Sequence, residues 1–359
     1  MTRPCSWNSA CVGALILSTA CGGNAPGSAV SVDPAPPQGA EGAADAGPVQ
    51  EPREAGAPSD ASSSPVADSG GLRGSPDASS PSTSCGGMSA QPKGSATWAI
   101  STSAGSRSAL VHIPPGYDPT KATPVVLNFH GYGGTSAQEE GLSLMDAESD
   151  AAGFVLVYPQ GTGALPSWNA GACCGTAAQS NLDDVGFVGS LLDQLEAQLC
   201  VDTKRVFATG MSNGGFMSHR LGCELSDRIA AIAPVAGVMG IPTCNPTRPV
   251  PVMEFHGTSD AIVPFGGNAA IAYPSVADTI SGWVQRDGCQ GAATTTYSKG
   301  DATCVTYGHC TGGAEVTLCT ISGGGHTWPG GAPFPLLGVT SMDISATDAM
   351  WAFFQKHAM

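Results

Sequence analysis

The sequence predicts a mostly parallel sheet flanked by helices, and three observations carry that prediction. Strand-like and helix-like segments alternate along the chain, a Gly-x-Ser-x-Gly turn separates one such strand from one such helix, and a His-Gly loop with further glycines closes an earlier apolar strand. Strand-like runs fall near 108–113, 124–130, 154–158, 205–210, 229–235, 250–256 and 315–321. Helix-like runs fall near 137–152, 184–200, 213–224, 275–287 and 345–357. No internal repeat is visible.

The first element lies outside the fold. Arg3 precedes the apolar stretch Val12-Gly13-Ala14-Leu15-Ile16-Leu17, and Ser18-Thr19-Ala20 leads to Cys21, so 1–21 reads as an export signal. A cysteine in that place, followed by Gly22-Gly23, also matches a bacterial lipoprotein cleavage site, with Cys21 as the lipidation candidate. Ser18 stands where leucine is usual, which keeps simple secretion as the alternative. Residues 22–84 contain no Phe, Trp or Tyr and carry eight acidic and two basic residues among Ala, Pro, Ser and Gly. Such a stretch buries too little apolar area to offset its chain entropy and is expected to be a disordered tether. The remaining 85–359, 359 − 84 = 275 residues, suit one α/β domain.

Within that domain, Val125-Val126-Leu127-Asn128-Phe129 runs into His130-Gly131-Tyr132-Gly133-Gly134. Such a loop aims a backbone N–H at a developing oxyanion, and the donors are assigned to Tyr132 and Asn213. His130 is expected to brace the loop. Next, Arg205-Val206-Phe207-Ala208-Thr209 leads into Gly210-Met211-Ser212-Asn213-Gly214-Gly215 and then a helix-like run to Cys223. Strand, tight glycine turn and helix make the nucleophile elbow of an α/β-hydrolase, with Ser212 as nucleophile.

The apolar run Val250 to Phe255 then opens into His256-Gly257-Thr258-Ser259-Asp260, placing a carboxylate just past a buried-type strand. Asp227, Asp278, Asp287 and Asp301 also follow the serine, but they fall on or beside helix-like segments or in a polar, cysteine-bounded loop. Asp260 is therefore the expected acid. A last strand-like run from Glu315 to Ile321 opens into Ser322-Gly323-Gly324-Gly325-His326-Thr327-Trp328. His326 is the expected base, since His309 sits between cysteines and His357 in the final helix. The order Ser, Asp, His is the one this fold requires.

Composition narrows the classes. The formal net charge is −15, from 14 Lys+Arg against 29 Asp+Glu, which disfavours nucleic acid and electrostatic docking to anionic lipid. Membrane contact is expected only through an anchor at Cys21. No HExxH, paired CxxC or carboxylate–histidine cluster has ligand spacing, and no GxGxxG or P-loop sits between a strand and a helix. Neither metal nor nucleotide cofactor is expected. Of 13 cysteines, 13 − 3 = 10 remain after Cys5, Cys11 and Cys21, giving up to five disulfides in an exported chain. The adjacent Cys173 and Cys174 are expected to pair with distant partners. Cys289, Cys304, Cys310 and Cys319 are expected to staple an insertion ahead of the His326 loop.

Several spaced motifs also carry a resemblance. Phe129-His130-Gly131, Tyr158-Pro159-Gln160-Gly161, Ser167-Trp168-Asn169 with Cys173-Cys174, Asp183-Asp184-Val185-Gly186-Phe187, Gly210 to Gly215, His256 to Asp260 and Gly324 to Gly330 stand in the order found in one family. The chain resembles the secreted poly(3-hydroxybutyrate) depolymerase and feruloyl esterase family of α/β-hydrolases across nearly all of 85–359. The resemblance implies a single-domain, lid-poor serine esterase acting on polyester or on hydroxycinnamoyl esters of cell-wall polysaccharide. Ser212, Asp260 and His326 fall on its triad positions. Trp168 and Trp328 are the expected substrate-binding aromatics, with loop packing as the rival reading. Asp183 and Asp184 are expected to cap a helix. An exported monomer at the cell surface or outside the cell is expected. The alternatives are an acetyl-xylan esterase, a peptidase on the same fold, or a non-catalytic glycan-binding lipoprotein.

Overall fold

A computed structural model of the protein describes residues 85, 86 and 88–359. The expected signal at 1–21, Cys21 and the 22–84 tether lie outside the described residues. In chain order the elements are β1 Gly94–Thr102, β2 Gly105–Ile113, β3 Thr123–Phe129, α1 Ser136–Ser143, α2 Asp146–Ala152, β4 Val155–Pro159, α3 Gly175–Gln179, α4 Asp184–Gln198 and β5 Val201–Met211. They continue as α5 Asn213–Glu224, β6 Ala231–Val235, β7 Val252–Gly257, α6 Val276–Arg286, β8 Thr294–Lys299, β9 Ala302–Tyr307, β10 Val316–Ile321 and α7 Ala346–Phe354.

The strands form a 10-stranded sheet in the order β1-β2-β4-β3-β5-β6-β7-β10-β9-β8. From β4 across to β10 every pair is parallel, and antiparallel ribbons flank this centre on both sides. The expected mostly parallel sheet is therefore present. Side chains alternate across it. Val125, Leu127 and Phe129 of β3 join Phe187, Leu191, Phe216 and Ile280 of α4, α5 and α6 in one core. Val126 of the same strand joins Met350, Trp351 and Phe354 of α7 in the other.

Three local departures from expectation have physical causes. The helix expected over 137–152 is two helices, because Leu144 turns left-handed at φ 54°. The carbonyls of Leu142 and Ser143 are turned outward to accept from Ala332 N–H and Thr347 Oγ1, both at 2.9 Å. Strands β1, β8 and β9 join the outer ribbons without a continuous apolar run; β8 is the largely exposed Thr-Thr-Thr-Tyr-Ser-Lys and belongs to the sheet through its backbone. Finally, Cys173 and Cys174 pair with each other instead of with distant partners. The other eight described cysteines are joined as Cys85–Cys200, Cys223–Cys244, Cys289–Cys310 and Cys304–Cys319, leaving neither a distant thiol. The last two pairs staple the segment ahead of the His326 loop, as expected, and Cys304 and Cys319 are register partners on β9 and β10.

Candidate active site

The site is assembled at one end of the parallel strands, where loops leave their carboxyl ends. Ser212 follows β5, Asp260 follows β7 and His326 follows β10, and β6 alone lies between β5 and β7. Ser212 has φ 56° and ψ −121°, a conformation costly for a residue with a Cβ and sustained only when the surroundings fix it. Here Ser212 N–H donates to Val235 O at 2.9 Å, and Ser212 O accepts from Phe216 N–H at 2.9 Å. Gly214 lets this turn press on β3, since a Cβ there would lie 1.8 Å from Phe129 O. The serine itself is partly exposed.

Asp260 and His326 meet directly: His326 Nδ1–H donates to Asp260 Oδ2 at 2.7 Å, with both residues buried. Asp260 Oδ1 accepts from the N–H groups of Ile262 and Val263, each at 2.8 Å. Burial by itself would raise the carboxyl pKa. The His326 bond and the Val263 N–H outweigh it and hold the group below its ordinary range. The two loops are zipped together by Ser259 N–H to Gly324 O and Thr258 N–H to Ile321 O, both 2.9 Å. Among the described residues no hydrogen bond joins His326 to Ser212. Catalytic contacts of this kind are commonly long without substrate.

Three of the four rival acids are engaged elsewhere. Asp278 lies in the first turn of α6 and accepts from Ser275 Oγ at 2.7 Å, Asp301 accepts from Ser341, and Asp287 accepts from Val250 N–H at 2.9 Å. His357 faces Glu315 at 3.3 Å.

The loop after β3 lies against the elbow, for a Cβ on Gly131 would sit 3.4 Å from Ser212 Cβ. His130 braces it as expected: its Nδ1–H donates to Gly131 O at 2.7 Å and its Nε2 accepts from Gly161 N–H at 2.9 Å. Burial lowers this imidazole's pKa to about 4, so it is neutral. Tyr132 is 48% exposed. Among the described residues no backbone carbonyl accepts from the N–H of Tyr132 or of Asn213, the expected oxyanion donors.

Trp168 and Trp328 require correction. Both are fully buried, so neither presents a ring face to a substrate. Trp168 Nε1–H donates to His130 O at 2.9 Å, and its ring stacks on Phe187 at 6.2 Å between centroids. Trp328 Nε1–H donates to Thr347 Oγ1 at 3.1 Å. They hold loops. Asp183 caps α4 as expected, accepting from Gly186 N–H at 2.8 Å. Asp184 does not: it is buried, takes a 2.5 Å ion pair from Arg107 and accepts from Asn169 N–H at 2.6 Å.

A buried polar row lies behind Asp260, and of its members only His256 stands in a sequence motif. Glu254, His256 and His219 are fully or almost fully buried and face one another. The available signal was Glu254 itself, a charged residue inside the otherwise apolar run Val250 to Phe255. Among the described residues no group of three or more His, Cys, Asp or Glu is arranged to hold a metal ion.

Comparison with known proteins fixes the family. Over 253 residues the chain is 30% identical to feruloyl esterase C of Emericella nidulans, spanning 69% of this chain and 83% of that protein. The chain belongs to the feruloyl esterase family of carboxylic ester hydrolases. This esterase chain is also 33% identical over 234 residues to feruloyl esterase B of Piromyces equi, covering 61% of this chain and 42% of that longer relative. No family model matches it. In fold it is similar to acetyl xylan esterase from Aspergillus awamori, with a TM-score of 0.54 at 15% identity over 72% of this chain and 99% of that one. The esterase therefore has the α/β-hydrolase fold that its elbow and strand order imply.

Proposed function

We propose that this member of the feruloyl esterase family is an exported serine carboxylic ester hydrolase that cleaves hydroxycinnamoyl esters of plant cell-wall polysaccharide. Ser212 Oγ attacks the ester carbonyl while His326 Nε2 takes its proton. The tetrahedral oxyanion is received by the backbone N–H groups of Tyr132 and Asn213, each such donor contributing about 3 kcal/mol to lowering the barrier. His326 then returns the proton to the departing sugar oxygen, leaving an acyl-serine. Water enters, gives a proton to His326 and attacks the acyl carbon; the second tetrahedral intermediate collapses as His326 returns that proton to Ser212 Oγ, releasing the acid and free Ser212. Asp260 holds the imidazole with Nδ1 protonated throughout.

The observation that carries this reading is Ser212 held at φ 56° on the β5–α5 turn, on the same sheet end as the 2.7 Å Asp260–His326 pair. The acyl group is assigned to the exposed Tyr132 ring, which packs so closely on Gly175 that a Cβ there would lie 2.5 Å from Tyr132 Cε2. Five disulfides support an oxidising, extracytoplasmic location. An anchor at Cys21 and a tether over 22–84 belong to the same proposal.

Purified protein is tested on methyl ferulate, p-nitrophenyl acetate, p-nitrophenyl butyrate and a 3-hydroxybutyrate oligomer, with Ser212→Ala as blank. Serine-dependent preference for ferulate is expected. Preference for the oligomer would make it a polyester depolymerase, and no serine-dependent turnover on any of them would defeat the esterase reading.

A further inference from the structure

The row behind the triad carboxylate has a proton inventory that its hydrogen-bond partners decide. Trp283 Nε1–H, a donor only, points at His219 Nδ1 at 3.0 Å, so that nitrogen is an acceptor. The His219 proton therefore resides on Nε2, which faces Glu254 Oε2 at the long distance of 3.5 Å, and His219 is neutral. On the other side of Glu254, His256 Nδ1 stands 3.2 Å from Oε1. His256 Nε2 is 2.8 Å from the carbonyl of Val263, an acceptor only, and so carries a proton. That same Nε2 lies 3.6 Å from Asp260 Oδ2, the oxygen that also accepts from His326. No Lys or Arg is paired with Glu254 or His256 among the described residues, so the counter-charge for the buried Glu254 falls on His256.

We propose that His256 is an imidazolium, paired with Glu254, and acts as a positioning residue that grips the acid loop through Val263 and presents a second cation to Asp260. The triad carboxylate is thereby flanked by two imidazoles. One is reactive and one is fixed. The loop closes on itself, because Val263 accepts from His256 through its carbonyl and donates its N–H to Asp260 Oδ1 at 2.8 Å. Burial alone would lower the His256 pKa, but the Glu254 carboxylate outweighs burial and raises it. For Glu254, burial pushes upward and the two facing histidines win, lowering it. The groups facing His256 are Glu254 from its own strand and Asp260 from the acid loop; His219 of α5 faces it across Glu254, and His326 across Asp260.

A fixed charge beside Asp260 opposes protonation of His326, so its removal raises the pH at which the base becomes competent. The inference rests on Asp260–His326 being the working acid–base pair, and the test separates the two. Nitrogen NMR of 15N-histidine-labelled Ser212→Ala protein at pH 7.5 reads the His256 ring without any turnover; the resonances are assigned by their loss in His256→Gln. Both ring nitrogens protonated in the parent, with loss of that state in Glu254→Gln, is the expected result. In the active background, Glu254→Gln moves the acidic limb of kcat/KM upward by about half a pH unit. A neutral His256 ring at pH 7.5 overturns the proposal even if Glu254→Gln does not fold. An unmoved acidic limb in a folded Glu254→Gln protein overturns the coupling to His326. Activity retained by Ser212→Ala would instead overturn the esterase reading and leave the NMR result standing.

Discussion

Asn213 holds the backbone of Trp168 with both ends of its amide: Oδ1 accepts Trp168 N–H at 2.7 Å, and Nδ2 donates to Trp168 O at 3.1 Å. The residue after the elbow serine thus spends its side chain on the loop that in turn, through Trp168 Nε1–H, holds His130 O. On the proposed function, oxyanion geometry depends on that chain. Asn213→Ala leaves two buried backbone groups unpaired and is expected to cost about 1–3 kcal/mol of stability. It is also expected to lower kcat about tenfold or more with a smaller change in KM. Steady-state kinetics and a urea titration check both; an unchanged kcat would show that the clasp is irrelevant to the oxyanion donors.

Tyr132 is an exposed aromatic of the loop after β3, and on the proposed function its backbone and ring have separable tasks. Tyr132→Ala keeps the N–H and removes the ring, so KM for methyl ferulate is expected to rise about tenfold, while p-nitrophenyl acetate turnover changes little. Equal losses on both esters would contradict a ring-binding role.

Glu139, in α1, is buried with Oε1 lacking a hydrogen-bond partner among the described residues, and burial raises its pKa to about 8. Between the ordinary value of 4.5 and about 8 the folded chain holds a proton that the unfolded chain has lost. The stability this contributes is complete below 4.5 and disappears as pH rises through 8. Glu139→Gln is therefore expected to raise stability, by on the order of a few kcal/mol, at pH 8.5 and to change it much less at pH 5. Calorimetry at the two pH values decides, and a gain of the same size at pH 5 would rule out titration as its cause.

Cys85–Cys200 spans 115 residues and ties the segment ahead of β1 to the start of β5. Replacing both by alanine is expected to lower stability by about 2–4 kcal/mol, chiefly by releasing the unfolded chain. A denaturation midpoint matching that of the parent would show that this bridge carries no stability.

Residues fixed by their place on a strand were legible in the sequence, and those fixed by which way a ring faces were not. Ser212, Asp260 and His326 each follow an apolar strand at a glycine-rich turn, a relation that one dimension preserves. Trp168 and Trp328 stand beside the same loops in sequence, but packing turned both rings inward onto Phe187 and Thr347. Glu254 was readable as a charge in an apolar strand; its partner His219 arrives from α5, and only the crossover of α5 over the sheet brings them together. The edge strand β8 carries no apolar pattern because most of its side chains face solvent. Cys173–Cys174 escaped because spacing does not encode pairing.

The central claim is that Ser212 is the nucleophile of a hydroxycinnamoyl esterase, and the release of ferulate from methyl ferulate by the parent and by Ser212→Ala, both shown folded by circular dichroism, tests it most directly. The account predicts a loss of about four orders of magnitude or more in kcat for the variant. A Ser212→Ala protein that retains activity within about tenfold of the parent would contradict it.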